Sequence, residues 1–363
     1  MDNNIRKKIL SIFSASLLML CVSCNLTGTN HRIPTSTGQP YEVVLEGDTD
    51  SILTKILTED VPFLPQSEPL CDLIQVRHGK CQGSYLMVRN RIVVDIDKNN
   101  KGFEAKTQKD LNASPQTVIS IKAKSAGELR QKLKNTKLLQ QAIDLQELQN
   151  LADHIKPNTE KQHLVKKMFG LDMKIPVSMD FYRKSKGFLW LSNNASTGMQ
   201  NLLVFRLKGN GTDTSTIKDN GASFTYTPNE VNKVLKRYML GETDQMYMQL
   251  IESEHLGNWE LRNEDFWQEP LDESNPYRVQ CLWKRGLWEM KGDAMGGPYV
   301  LKVVPMSQGK PLSPYEQTSR KIDSRIVLIA FVYAPEKNKR NLTKQLEAML
   351  ATIRLTKTEK AKH

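Results

Sequence analysis

The run Ile326-Val327-Leu328-Ile329-Ala330-Phe331-Val332 constrains the fold more than any other segment. Seven apolar residues without a polar break are too few to span a bilayer and leave no polar side for an exposed helix, so they read as the most buried strand of a sheet. Covering such a strand takes a sizeable core, and the chain supplies it with 363 residues, 39% of them hydrophobic and 25% charged. This balance allows one large or two ordinary globular domains and excludes disorder, collagen or coiled coil as the main architecture.

Further strand and helix signals accompany this run without regular alternation. In the first half, residues 41–45, 70–76, 84–97 and 118–121 read as strands, with Ile92-Val93-Val94 expected to be buried on both faces. Asp48 to Asp50 supply caps for a helix carrying Ile52, Leu53, Ile56 and Leu57, and Pro62, Pro65 and Pro69 break the chain after it. Ser125-Ala126-Gly127-Glu128 has the capping-box spacing and opens a second helix. The helical pattern resumes over 138–155, Pro157 stops it, and a shorter helix over 162–169 ends at Gly170, which suits a left-handed cap.

In the second half, residues 174–182, 187–191, 201–207, 277–290, 298–304 and 325–334 read as strands. Thr227-Pro228-Asn229-Glu230 combines a cap residue, Pro at the first helical position and Glu three on from the cap, and the helix it opens carries Val231, Val234, Leu235, Tyr238 and Met239 on one face before Gly241 closes it. A last helix carries Leu342, Leu346, Met349, Leu350 and Ile353 on one face. The predicted class is α+β, with two lobes of largely antiparallel sheet and packed helices, and the similar outline of the halves is what an internal duplication would leave. The expected organisation is a signal peptide over residues 1–23, a flexible tether over 24–39, one α+β half over 40–170, a second over 171–356 and a charged tail over 357–363.

The export signal rests on Arg6, Lys7 and Lys8, which form a positive start, and on an apolar run over 9–23. The run ends Leu20-Cys21-Val22-Ser23-Cys24, where a small residue directly precedes a cysteine, and this resembles the lipobox of bacterial lipoproteins with Cys24 as the lipidated, palmitate-bearing residue. The box is relaxed, because Cys21 stands where such motifs usually carry Leu, and cleavage before Cys21 would instead place bulky Leu20 at the bond. The other reading is a plain secreted protein with Cys24 in a disulfide. Lipoprotein sorting patterns imply the outer membrane from Asn25, and the lack of acidic residues over 26–30 implies the periplasmic side.

The net charge is +11, and +9 without residues 1–23, so anionic surroundings are favoured; nucleic acid is not an expected partner of an exported protein. Cys71, Cys81 and Cys281 follow Cys24. A hairpin of residues 70–76 and 84–88 would set Cys71 about 16 Å from Cys81, so thiols are expected there rather than a bridge. The six His residues show no ligand spacing with one another or with cysteines, and no metal or cofactor site is expected.

Trp283 and Trp288 lie close to Arg285, Glu289 and Asp293. One reading makes Glu289 and Asp293 a carboxylate pair beside an aromatic sugar platform, as in glycan hydrolysis. The plainer reading puts both tryptophans in the core, pairs Glu289 with Lys291 or Arg285, and makes residues 292–298 a wide turn. Exposed loops carry binding more often than cores do, so Arg285, Trp288, Glu289 and Asp293 are the candidate interaction residues, with Gly296 and Gly297 permitting positive φ or close backbone approach. No residue is assigned a catalytic role.

Three motifs carry a resemblance: Phe63-Leu64-Pro65-Gln66-Ser67-Glu68-Pro69, Arg89-Asn90-Arg91-Ile92-Val93, and Arg285-Gly286-Leu287-Trp288-Glu289 with Gly292-Asp293-Ala294-Met295-Gly296-Gly297-Pro298. Over residues 31–355 the chain resembles a family of uncharacterised lipoproteins of bacteroidete bacteria, a domain-of-unknown-function family. The resemblance implies a lipoprotein with one shared fold and carries over no catalytic residue. The expected function is a non-catalytic binding or scaffolding component of the cell envelope, held to the membrane by lipid, with an envelope protein or glycan as partner. The alternative is an envelope hydrolase acting on glycan or peptide.

Overall fold

A computed structural model describes residues 33–134, 137–209, 215–219, 222–226, 228–251, 259–262, 281–311 and 321–355. The signal peptide, Cys24, most of the tether, the Thr227 cap and the charged tail lie outside the described residues. The described chain forms two compact units, one of residues 33–58 and 71–139, the other of 59–70 and 140–355.

The first unit runs β1 (Glu42–Glu46), α1 (Ile52–Leu57), β2 (Asp72–Val76), a 3-10 turn (Gly83–Met87), β3 (Asn90–Ile96), β4 (Glu104–Lys109), β5 (Thr117–Ala123) and α2 (Ala126–Leu133). Its sheet has the order β2-β1-β3-β5-β4. β1 pairs in parallel with both β2 and β3, β3 pairs in parallel with β5, and β4 alone is antiparallel. The hairpin expected after residue 70 is therefore replaced by two neighbours of β1: α1 returns the chain so that β2 lies parallel beside β1, as parallel strands require a crossover.

Residues 84–88 are not strand, and the long strand expected over 84–97 begins only at Asn90. Within β3, Asn90, Ile92 and Val94 are buried while Arg91 and Val93 are half-buried, so the centre is not covered on both faces. β4 gave no signal in the sequence because Glu104-Ala105-Lys106-Thr107-Gln108-Lys109 has almost nothing apolar to show; it is an edge strand, where charges deter further pairing.

Local caps follow the sequence. Asp48 accepts the backbone N–H groups of Ile52 (2.9 Å) and Leu53 (3.1 Å) on Oδ1, and the N–H and hydroxyl of Thr54 (both 2.8 Å) on Oδ2. Ser51 makes no cap bond. Ser125 Oγ accepts from the Glu128 N–H at 3.2 Å, and Glu128 reaches back to the N–H groups of Lys124 and Phe103.

Cys71 and Cys81 stand beyond opposite ends of β2 and are not joined to each other. Burial pushes the Cys81 thiol up, and the Arg91 guanidinium offsets this only in part. Peptide mapping without reduction is expected to return both residues as thiols, with Cys81 alkylating slowly near neutral pH because little of it is thiolate. A linked 71–81 peptide pair would contradict the observed β1–β2 arrangement. The side chain of Cys281 lies outside the described residues.

The second unit contains α3 (Leu138–Asp153), whose first two residues still belong to the first unit, then α4 (Thr159–Phe169), β6 (Leu171–Asp172), β7 (Phe181–Ser185), β8 (Phe188–Ser192) and β9 (Met199–Lys208). β10 (Ser215–Asp219) and β11 (Ala222–Tyr226) form a separate hairpin, followed by α5 (Pro228–Tyr238), β12 (Tyr247–Leu250) and β13 (Trp259–Arg262). β14 (Cys281–Lys291), β15 (Gly296–Ser307), β16 (Lys310–Pro311), β17 (Ser324–Tyr333), α6 (Arg340–Ala351) and β18 (Arg354–Leu355) complete it. Nine strands form one antiparallel sheet in the order β12-β14-β15-β17-β9-β8-β7, with β13 on β14 and β16 on β15. The strand expected over 174–182 begins only at Phe181, and Gly241 closes no left-handed cap; it approaches Met246 instead.

β17 explains why an unbroken apolar run was needed. Ile326, Leu328, Ala330 and Val332 enter one core with Val165 and Phe169 of α4 and Leu346, Met349 and Leu350 of α6. Val327, Ile329 and Phe331 enter the opposite core with Val231 and Leu235 of α5 and Met239 just after it. Side chains alternate along a strand, so a strand with helices on both faces must be apolar at every position.

Two expectations about organisation change. The units part at residue 139, not at Gly170, because α4 packs into the core under the larger sheet and Leu148 and Ala152 of α3 pack with Ala348 of α6. The shared outline of the halves is not a shared topology, since one sheet is mostly parallel and the other antiparallel. The overall class is α+β as expected.

The segment 59–70 belongs to the second unit, where it caps α6. Glu68 is buried and accepts the N–H groups of Lys339 (2.7 Å) and Arg340 (2.8 Å), while Arg340 donates to the Pro69 carbonyl at 2.7 Å. No side chain local to Lys339 caps this helix, so the carboxylate meets its exposed donors and positive dipole end from 271 residues away in sequence.

Candidate functional site

The four candidate residues lie on β14 and on the turn that joins it to β15. Register places Trp288 opposite Gly297 and Glu289 opposite Gly296, with Gly292 at φ +82° turning the chain. Gly296 and Gly297 do not have positive φ. Their value is close approach: a Cβ on Gly297 would lie 2.2 Å from the Val332 carbonyl oxygen and 3.2 Å from Trp288 Nε1.

That approach seats Trp288 in the core. The ring is buried, donates Nε1–H to the Val332 carbonyl at 3.1 Å, and meets Phe331 edge-on at 4.9 Å. Trp283 is likewise buried, on the other face, with the Lys302 ammonium 4.7 Å from its ring centroid. Both rings are packing elements, so the aromatic platform is not formed by them.

Arg285 shares a face of β14 with Glu289 but turns to α6. Its guanidinium makes a two-point pair with Glu347, through Nε to Oε1 and Nη2 to Oε2. Lys344 lies 3.3 Å from Glu347 Oε2 and 2.6 Å from Asp144 Oδ1 on α3, so four charges alternate in sign through the unit's interior. Glu347 is 1% exposed and Lys344 4%. The arrangement ties β14, α6 and α3 together, and the spacing Lys344–Glu347 on one helix was its only local trace in the sequence.

Glu289 accepts from Gln249 Nε2 on the neighbouring strand at 2.5 Å, in place of the expected Lys291 or Arg285. Asp293 is exposed, and its Oδ1 accepts the Ala294 N–H within the turn at 2.6 Å. The structure therefore gives Glu289 and Asp293 separate partners, and of the four residues Asp293 is the one exposed to solvent. Among the described residues no three His, Cys, Asp or Glu side chains are grouped to hold a metal ion, and no helix is long and apolar enough to cross a membrane.

A second surface went unnoticed in the sequence. All five residues of β7, at the end of the larger sheet, are exposed, and Lys186-Gly187 make a two-residue turn into β8. Phe181 meets Trp190 edge-on at 5.4 Å, and the Lys161 ammonium lies 4.5 Å from the centroid of Tyr182. Burial would lower the Lys161 ammonium, but Glu160, Asp180 and Tyr182 outweigh it and hold its proton above the ordinary lysine range. The adjacent aromatic and basic residues of Phe181-Tyr182-Arg183-Lys184 were the available signal; they resembled an ordinary strand.

Fold and surfaces together define an α+β protein whose larger unit is an antiparallel sheet covered by helices on both faces. The family described as Domain of unknown function (DUF4837) matches residues 158–352, and the chain belongs to it. A second profile, Domain of unknown function (DUF8532), matches residues 36–156. No curated protein and no solved structure matches the chain.

Proposed function

We propose that this protein is an exported lipoprotein of a bacteroidete-type cell envelope, lipidated on Cys24, that binds or scaffolds an envelope protein or glycan without catalysis. The observation that carries the reading is the N-terminal pattern of Arg6, Lys7 and Lys8, the apolar run to Ser23, and Ser23 directly before Cys24. The hydrolase alternative loses its aromatic platform and carboxylate pair, because Trp288 is buried against the Val332 carbonyl and Glu289 is taken by Gln249, which leaves exposed Asp293 as the candidate contact residue. Asn25 supports an outer-membrane destination, with the folded part on the periplasmic side.

The anchor is tested by substitution. Cys24→Ala is expected to release the protein from the membrane fraction and to leave an unlipidated precursor, whereas Cys21→Ala leaves fractionation and metabolic labelling with palmitate unchanged. Several acyl chains, each contributing about 0.8 kcal/mol per buried methylene, hold a protein far more firmly than its surface charge does. Palmitate on the Cys24→Ala form, or loss of it on the Cys21→Ala form, would overturn the assignment.

A further inference from the structure

We infer that the β7–β8 hairpin is a docking surface for the anionic headgroups of a lipid bilayer. Residues 156–187 hold eight Lys or Arg against three Asp or Glu, an excess of +5 within 32 residues of a chain whose whole excess is +11. The three acids in this stretch each face a lysine at the surface: Glu160 and Asp180, both exposed, lie 3.0 and 3.7 Å from buried Lys161, and half-exposed Asp172 lies 3.5 Å from Lys166. Arg183, Lys184 and Lys186 are exposed on the hairpin, and among the described residues no ion pair engages them.

Two large rings accompany these charges. Phe181 is 42% exposed and Tyr182 41%, one on each face of the strand, and both are steadied from below by Trp190 and Lys161. Aromatic rings settle at the headgroup level of a bilayer, and Lys and Arg stems lie along the apolar boundary while their charges meet lipid phosphates. The tight turn, with Gly187 at φ +73°, presents Lys186 at the tip. A peptide added as a strand is the less suitable occupant, because consecutive basic residues in an edge strand oppose strand addition.

The test uses the chain from residue 24 onward with Cys24→Ser, which keeps every described residue and carries no acyl chain, so its result is independent of the lipidation assignment. It is expected to co-float with vesicles of equal parts phosphatidylglycerol and phosphatidylcholine, not with phosphatidylcholine alone, and to dissociate as salt rises. The triple change Arg183→Glu, Lys184→Glu, Lys186→Glu is expected to weaken partition by roughly a hundredfold or more, since each basic residue lost near such a surface is worth about a factor of five and each glutamate adds repulsion. Lys124→Glu, Lys132→Glu, Lys134→Glu, at exposed sites in the first unit, is expected to weaken it no more than a few-fold.

Equal loss in both triple variants would reduce the effect to overall charge and overturn the proposal. Unchanged partition of a folded hairpin variant would overturn it as well, and glutamine versions give the same comparison if the glutamates disturb folding. So would polyglutamate binding to the hairpin by a protein that ignores the anionic vesicles, an outcome that assigns the edge to an acidic peptide.

Discussion

Glu347→Ala is expected to destabilise the larger unit by about 3–5 kcal/mol, the range seen when one partner of a buried ionic network is removed. The change leaves the Arg285 guanidinium, 15% exposed, and the buried Lys344 ammonium close together without the carboxylate between them. For a unit of this size the melting temperature should fall by about 6–20 °C. Replacing the charges together, as Arg285→Met, Lys344→Met and Glu347→Leu, is expected to give a protein within about 2 kcal/mol of the parent or more stable, because the three charges that face one another are then removed as a group and apolar side chains fill their place. Asp144 survives that change more easily, being 21% exposed. Denaturant titrations of the single and triple variants decide the matter: a triple variant no better than Glu347→Ala would mean that packing, not charge, is what Glu347 supplies.

Trp288→Ala is expected to lower stability by about 3–5 kcal/mol, through the cavity left against Phe331 and loss of the bond to the Val332 carbonyl. Asp293→Ala, five residues on, should stay within about 1 kcal/mol of the parent, because it removes one exposed turn hydrogen bond. The pair separates structure from recognition in the β14–β15 hairpin. Loss of a crosslinked envelope partner from the Trp288 variant follows from unfolding alone, whereas the same loss from a stable Asp293 variant would be a binding effect. Near-parental melting of Trp288→Ala would contradict the core position of the ring.

How far the sequence could be read depended on whether the signal was local. The 326–332 run, the capping box at Ser125, the helix starting at Pro228 and the Gly170 cap all lie where their residues predict, because each is decided by side-chain alternation or by backbone groups a few residues apart. Edge strands escaped wholly or in part for the converse reason: β4, and β7 beyond the end of the strand expected over 174–182, give water most of their side chains, so their strand character resides in backbone pairing that leaves no apolar pattern. The β1–β2 parallel pair was mistaken for part of a later hairpin, since a strand's own residues do not state which neighbour it takes or in which direction.

The candidate residues show the same division. Their composition drew attention to Arg285, Trp288, Glu289 and Asp293, yet a tryptophan at a binding face and one in a core are the same letter. Which it is depends on whether another backbone comes close enough, as Val332 does beside Gly297. Glu347 and Glu68 passed without notice because their partners, Arg285 and the start of α6, lie 62 and 271 residues away. By itself, then, the sequence determined the capped helix starts and the two-sided burial of β17, both of which depend on neighbours along the chain. The tertiary structure alone decided strand order, the parallel sheet of the first unit, the fate of each buried charge and the exposure of the basic and aromatic residues of β7 at the end of the larger sheet. A charge in an interior is tolerable only beside its counterion, and folding brings together counterions that sequence separates.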